Sequence, residues 1–238
     1  MKISLMATAA IAISVLSACG GDLVNKLDEL ADDFNDDAKR IVNEQKFDDF
    51  IANAKALDQA QFPPSELLSG KALMGGYLAL VDTDLNELNQ VIAKRFTVGD
   101  ASINVDFSQL SDGGFDGTVK DFVKYEGSPG CLDDSAPCTG DYSEELGGEL
   151  TITGRSPLQF GRLIVYNLSG NLTGTDSSGA YSAEIDSKQF LGVNLGQVDG
   201  LLVAKSVEEG FVDVRISAQG EQAVTVQSEV MLHIQDLD

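Results

Sequence analysis

After Ser69 apolar residues recur at every second position, and that period leaves few folds open to this chain. Ile103, Val105 and Phe107 alternate with Ser102, Asn104 and Asp106, and Val212, Val214 and Ile216 with Asp213, Arg215 and Ser217. Val224, Val226, Val230, Leu232 and Ile234 likewise alternate with Thr225, Gln227, Glu229 and His233. Successive strand residues point to opposite faces, so each stretch reads as a strand with one dry face and one wet face. Turn signals every ten or so residues, with no helical period between them, make the series an antiparallel meander. An open sheet of that many strands would expose aggregation-prone edges, and closing it on itself removes them. The expected fold is therefore mainly β: an antiparallel up-and-down barrel of about eight strands over residues 66–238.

A different period governs the residues before it. Leu23, Leu27, Leu30, Phe34, Ala38 and Ile41 recur at steps of three and four, and Phe47, Phe50, Ile51, Ala54 and Leu57 continue the stripe past a possible break around Asn43. Asp28, Glu29, Asp32, Asp33, Asp36 and Asp37 fill the other faces. This is an amphipathic helical segment, ended by Pro63 and Pro64, which cannot continue a helix and bias the residue before them to extended backbone. Such a helix either folds back to bury its stripe on the barrel or serves as a surface for self-association. Burial is favoured, because an unsupported helix is marginal in water.

The N-terminus carries a third pattern: Lys2, an uncharged run from Ile3 to Val15, then Leu16-Ser17-Ala18 before Cys19. A basic start, a short apolar stretch and small residues at a cut site describe an export signal over residues 1–18, and the run is shorter than the roughly 20 residues of a membrane span. The order Leu-Ser-Ala-Cys resembles the bacterial lipoprotein signal motif, which implies that Cys19 begins the mature chain and carries lipid. Residues 19–65 then form the lipidated N-terminus and acidic helical segment. Several acyl chains on one residue meet the requirement that stable anchoring needs more than one lipid signal. The expected location is the bacterial outer membrane, facing the surface or the periplasm.

Charge narrows the partners. The formal net charge is −22, and a chain this acidic repels phosphate backbones and anionic headgroups. Nucleic acid is excluded as a partner, and without a polybasic patch the membrane contact falls to the lipid alone. Cys131 and Cys138, in "CLDDSAPC", lack metal-like spacing and in an oxidising compartment read as a disulfide. Closing that loop restricts the unfolded chain by about 2.5 kcal/mol in the loop-entropy account. It either presents a rigid tip to a partner or simply staples a loop.

Residues for catalysis are scarce. The one histidine, His233, falls on the wet face of its strand, and no nucleophile-elbow pattern accompanies it. A zinc site of His and Cys is ruled out on the same count, and no carboxylate pair stands out by spacing for glycosidase chemistry. Asp82, Asp84 and Asn86 have the first ligand spacings of a calcium loop, but Glu87 and Ala93 occupy the positions that need Gly and a bidentate Glu. The expectation is a non-enzymatic protein without cofactor or metal.

Two stretches resemble a known family. "KALMGGYLALVD" followed by "GDASINVDFSQLSDGGFDGTVKDF" is similar to the opening hairpins of the β-barrel domain of transferrin-binding protein B and related surface lipoproteins, and "QFLGVNLGQVDGLL" to a late motif of the same family. Gly75, Tyr77, Phe107, Gly117, Phe190, Gly192, Asn194 and Gly200 carry the match, while Val193 and Asp199 depart from it. The resemblance implies a lipid-anchored barrel that captures a protein or small ligand. The two-lobed architecture of the transferrin receptor is missing, so transferrin itself is not implied. Read as residues alone, Gly117, Gly192 and Gly200 mark bends or close approaches, and Phe107, Phe115 and Phe190 belong to the core.

Overall fold

The computed structural model describes residues 22–57, 69–132, 138–157, 163–176, 179–187, 191–198, 201–207 and 210–237, with side chains from residue 39 onward. Cys19, Phe190 and Gly200 lie outside them, as do the side chains of the helical stripe from Leu23 to Ala38. One helix, α1 (Asp22–Leu57), precedes ten strands: β1 (Lys71–Leu85), β2 (Val91–Asp106), β3 (Phe115–Gly127), β4 (Gly140–Arg155), β5 (Leu163–Asp176), β6 (Gly179–Asp186), β7 (Leu191–Val198), β8 (Leu201–Ser206), β9 (Phe211–Ala218) and β10 (Val224–Asp236). The helix shows no break at Asn43. The residues up to Val42 and those from Asn43 onward form two compact units, and the second holds the end of α1 and the whole sheet.

Ten strands occupy eight places in a closed antiparallel barrel. β6 and β7 both pair with β5, one after the other, and β8 and β9 both pair with β10. Each pair is thus one long strand interrupted. The β6–β9 and β7–β8 ladders keep a single register across the interruption, from Tyr181↔Ala218 to Val198↔Leu201. Their outer neighbours do not keep step. Between the two ladders β5 advances three residues, from Ser169 to Tyr166, while the facing chain advances five, from Asp186 to Leu191. Two hydroxyls fill the gap in the ladders: Ser187 Oγ accepts from the Leu168 N–H and Ser206 Oγ from the Leu232 N–H, each at 2.7 Å. A buried amide without an acceptor would be costly, and here a side chain supplies what the displaced carbonyl cannot.

β10 returns to β1 and closes the barrel, with Met74↔Asp236 at one end and Val81↔Glu229 at the other. Alternate residues fill the interior: Met74, Leu78, Ile103, Phe115, Leu150, Ile152, Tyr166 and Leu232 are each at most 1% exposed. Leu110, from the β2–β3 loop, plugs the end where the chain leaves β10, and the Leu237 N–H bonds the Leu73 carbonyl beside it.

A second apolar cluster lies on the outside. Phe47, Phe50 and Ile51 of α1 pack against Ala79, Val81, Phe96, Val98, Val123 and Tyr125, the outward residues of β1, β2 and β3. Lys46 pins this segment: its ammonium bonds the carbonyl of Asp121 and lies 3.1 Å from the Asp100 carboxylate. Tyr125 donates to the Asn43 carbonyl at 2.6 Å. Asp121 sits at φ +53°, where β3 slips register against β2 and β4, so the lysine satisfies a carbonyl that the bulge turns out of the ladder. His233 belongs to this covered face. It is 1% exposed and stacks on Phe50 with ring centroids 5.9 Å apart, so the surface imidazole expected from alternation is buried. Period two assigned its face correctly; the helix made that face dry.

Candidate functional site in the barrel mouth

The wall of the barrel is not continuous to the other end. The β1–β10 ladder stops at Val81↔Glu229, although β1 runs on to Leu85 and β10 begins at Val224. The β4–β5 ladder stops at Gly147↔Thr173, although β4 begins at Gly140 and β5 runs on to Asp176. Within β1–β4, and within β5, β6, β9 and β10, pairing continues toward the tips. The mouth is thus split into two leaves along opposite seams. Val224, placed by its alternation on the dry face, is 59% exposed here, because β10 has outrun its partner.

Between the leaves lies a cavity of about 540 Å³. Leu80 and Leu146 from one leaf, with Leu172, Ala183, Ile185, Val214 and Ile216 from the other, give it an apolar floor. Toward the opening the lining changes to Asp82, Asp84, Arg95, Lys124, Glu126, Glu144, Asp176 and Ser228. Side chains bridge the seams where backbone ladders do not. At one, Ser228 Oγ donates to Asp82. At the other, Glu144 of β4 accepts from the Tyr181 hydroxyl at 2.8 Å and from the Thr175 N–H, both on the facing leaf. Lys124 completes this cluster, 3.4 Å from Glu144, donating to the Tyr181 hydroxyl and lying over its ring at 4.4 Å from the centroid.

Gly174 makes the cluster possible, since a Cβ there would stand 2.3 Å from Glu144 Oε1 and 2.5 Å from the Tyr181 hydroxyl. Burial, and next the hydrogen bond to the Glu144 carboxylate, raise the Tyr181 phenol above its ordinary pKa. It stays a neutral donor at any physiological pH. Arg95 bonds Asp84 at 2.8 Å. The chemistry on offer is recognition: an apolar recess ringed by fixed hydrogen-bonding groups, at a size common for small-molecule sites.

The residues of the calcium-like spacing have other employment. Asn86 Oδ1 accepts from the Leu88 and Gln90 N–H groups at 2.9 and 3.0 Å and shapes the β1–β2 turn, while Asp82 and Asp84 line the cavity. Among the described residues no three His, Cys, Asp or Glu side chains are grouped to hold a metal ion. Cys131 and Cys138 are bonded, with Cα atoms 4.4 Å apart, in the β3–β4 loop. Cys131 is buried in the outer cluster, and Lys94 donates to its carbonyl at 2.7 Å, so the loop is stapled down onto α1's neighbours.

The described residues that carry the family resemblance are not gathered into one site, and none lines the cavity. Gly75 and Tyr77 lie on β1, Tyr77 packed edge-on to Phe50 at 6.4 Å. Phe107 packs partly buried against the barrel core. Gly117 lets β3 approach β2, since a Cβ there would fall 2.2 Å from the Ser102 carbonyl oxygen. Gly192 has only side-chain neighbours, the nearest at 3.2 Å, and Asn194 is exposed on β7. The functional candidates that sequence reasoning missed are Lys124, Glu144, Gly174, Tyr181 and Ser228. Each looks in sequence like an ordinary strand residue, and only the register brings them to one mouth. No family model, curated protein or solved structure matches the chain.

Proposed function

We propose that this chain is a binding protein of the bacterial envelope, tethered by lipid on Cys19, whose barrel mouth takes a small amphipathic ligand. The observation that carries this reading is the split mouth: an apolar recess of about 540 Å³ between two leaves, edged with fixed polar groups. A barrel of eight strands filled throughout by side chains has no room for a ligand, whereas this one is filled at one end and open at the other. Leucine and valine floors favour an apolar body, and the ring of charged groups favours a polar head.

Binding is tested by titrating the full chain with an apolar dye that fluoresces out of water, such as N-phenylnaphthylamine. Saturable enhancement that disappears in Ala183→Trp, with the barrel's circular dichroism intact, supports the reading; no enhancement overturns it. The tether is tested by labelling growing cells with a palmitate analogue, where loss of label in Cys19→Ser is the expected result. Protease treatment of intact cells then separates the surface from the periplasm. The same anchor with an assembling helix would make a structural envelope lipoprotein. What favours that second reading is Ile41 and Val42, 60% and 67% exposed at the end of the leucine stripe. Its test is the oligomeric state of Leu30→Asp with Phe34→Asp.

A further inference from the structure

We infer that the head group of the ligand is a cation, an ammonium or guanidinium, held between the two leaves; this deepens the binding reading above and rests on it. Among the described residues the cavity is lined by five carboxylates and two cations. Neither cation is placed to attract an anion. Arg95 already lies 2.8 Å from Asp84 and Lys124 3.4 Å from Glu144, so an anionic ligand must displace one of these partners or enter against the remaining carboxylates. Asp82 meets a neutral hydroxyl, that of Ser228, and Glu126 stands at the opening on the same leaf.

The rest of the molecule pulls the same way. A chain of net charge −22 surrounds the mouth with negative potential, and low-dielectric walls focus that potential into a cleft. The stretch of β1 from Asp82 and the facing stretch of β10 to Ser228 form no ladder with each other, which leaves the seam beside the head-group position to side chains. A ligand can therefore seat its apolar body on the Leu172 and Ile185 floor while its charge stays at the wetted seam.

The experiment uses the full chain, the dye assay above and three competitors of one chain length, kept below micelle formation: dodecylamine, dodecanol and dodecanoate. Dodecylamine is expected to displace the dye at least tenfold more tightly than dodecanoate, with an advantage that shrinks as salt rises. In Asp82→Asn with Glu126→Gln the advantage of the amine over dodecanol is expected to fall severalfold. Equal displacement by amine and carboxylate, or a preference for the carboxylate, overturns the inference and leaves the apolar pocket standing. An amine preference untouched by the double substitution also overturns it, since the charge would then lie elsewhere. Displacement by none of the three overturns pocket and head group together. Should the double variant lose its barrel spectrum, Glu126→Gln alone, at an exposed position, repeats the comparison.

Discussion

Glycines in this barrel differ in what they make room for, and the difference predicts which tolerate a side chain. Gly140 faces Phe47, and a Cβ there would lie 2.6 Å from the ring; Phe47 in turn is wedged against Phe96 and Tyr125 and has nowhere to go. Gly140→Ala is expected to lower stability by about 1–3 kcal/mol, as overpacking does, read as a fall in the urea midpoint. Gly192, which carries part of the family resemblance, meets only the movable Val207 and Leu163 side chains, so Gly192→Ala is expected to shift stability by no more than about 0.5 kcal/mol. The buried phenols set a pH limit at the same scale. Burial raises Tyr166 and Tyr125 above their ordinary value of 10.0. The unfolded chain thus gives up those protons first, and stability holds below about pH 10 and falls above it. Urea titrations across that range are expected to show the decline, and Tyr166→Phe to make it shallower.

At the scale of elements, the end of α1 behaves as an outer layer of the barrel. Phe50→Ala removes the ring that covers His233 and is expected to cost about 3–5 kcal/mol. It also has a chemical signature: the single histidine, covered by Phe50, is expected to resist diethyl pyrocarbonate and to become reactive in the variant. A His233 that reacts equally in both proteins would contradict the covered face. This layer marks how far sequence reading reaches. Strand periodicity made the barrel legible, because each inward row must be apolar in every strand, and the helical stripe from Phe47 to Leu57 was legible for the same reason. Which outward row the stripe would cover was not, since Ala79, Val98 and Met231 look like ordinary wet-face variation until a helix is laid over them. The interruption between β6 and β7 was hidden for another reason. Ser187 and Ser206 repair the ladders with hydroxyls, and serine on a strand carries no signal of that task.

The whole molecule divides into a sealed end and a parted end. At the sealed end Leu110 and the chain's last strand residues close the interior; at the parted end two leaves are joined by Asp82 with Ser228 and by Glu144 with Tyr181 and Thr175. If the ligand enters between the leaves, joining them covalently closes the route. Asp82→Cys with Ser228→Cys, at positions facing one another across the seam, is expected to abolish dye uptake when oxidised and to restore it on mild reduction. Uptake indifferent to the bond would place the opening at the tips instead. None of the residues at this end is distinctive in type or spacing, which is why the candidate site became visible only once the strands were set side by side.

The pairing of Met74 with Asp236 has a consequence in time. The first strand of the barrel has no second neighbour until β10 arrives, so closure waits on that strand. Contacts so distant in sequence fold slowly, and the first hairpins stand with an unsatisfied edge until β10 pairs with β1. A chain cut short before β10 is expected to be degraded by added protease rather than to form a smaller barrel, because β1 would keep an open edge.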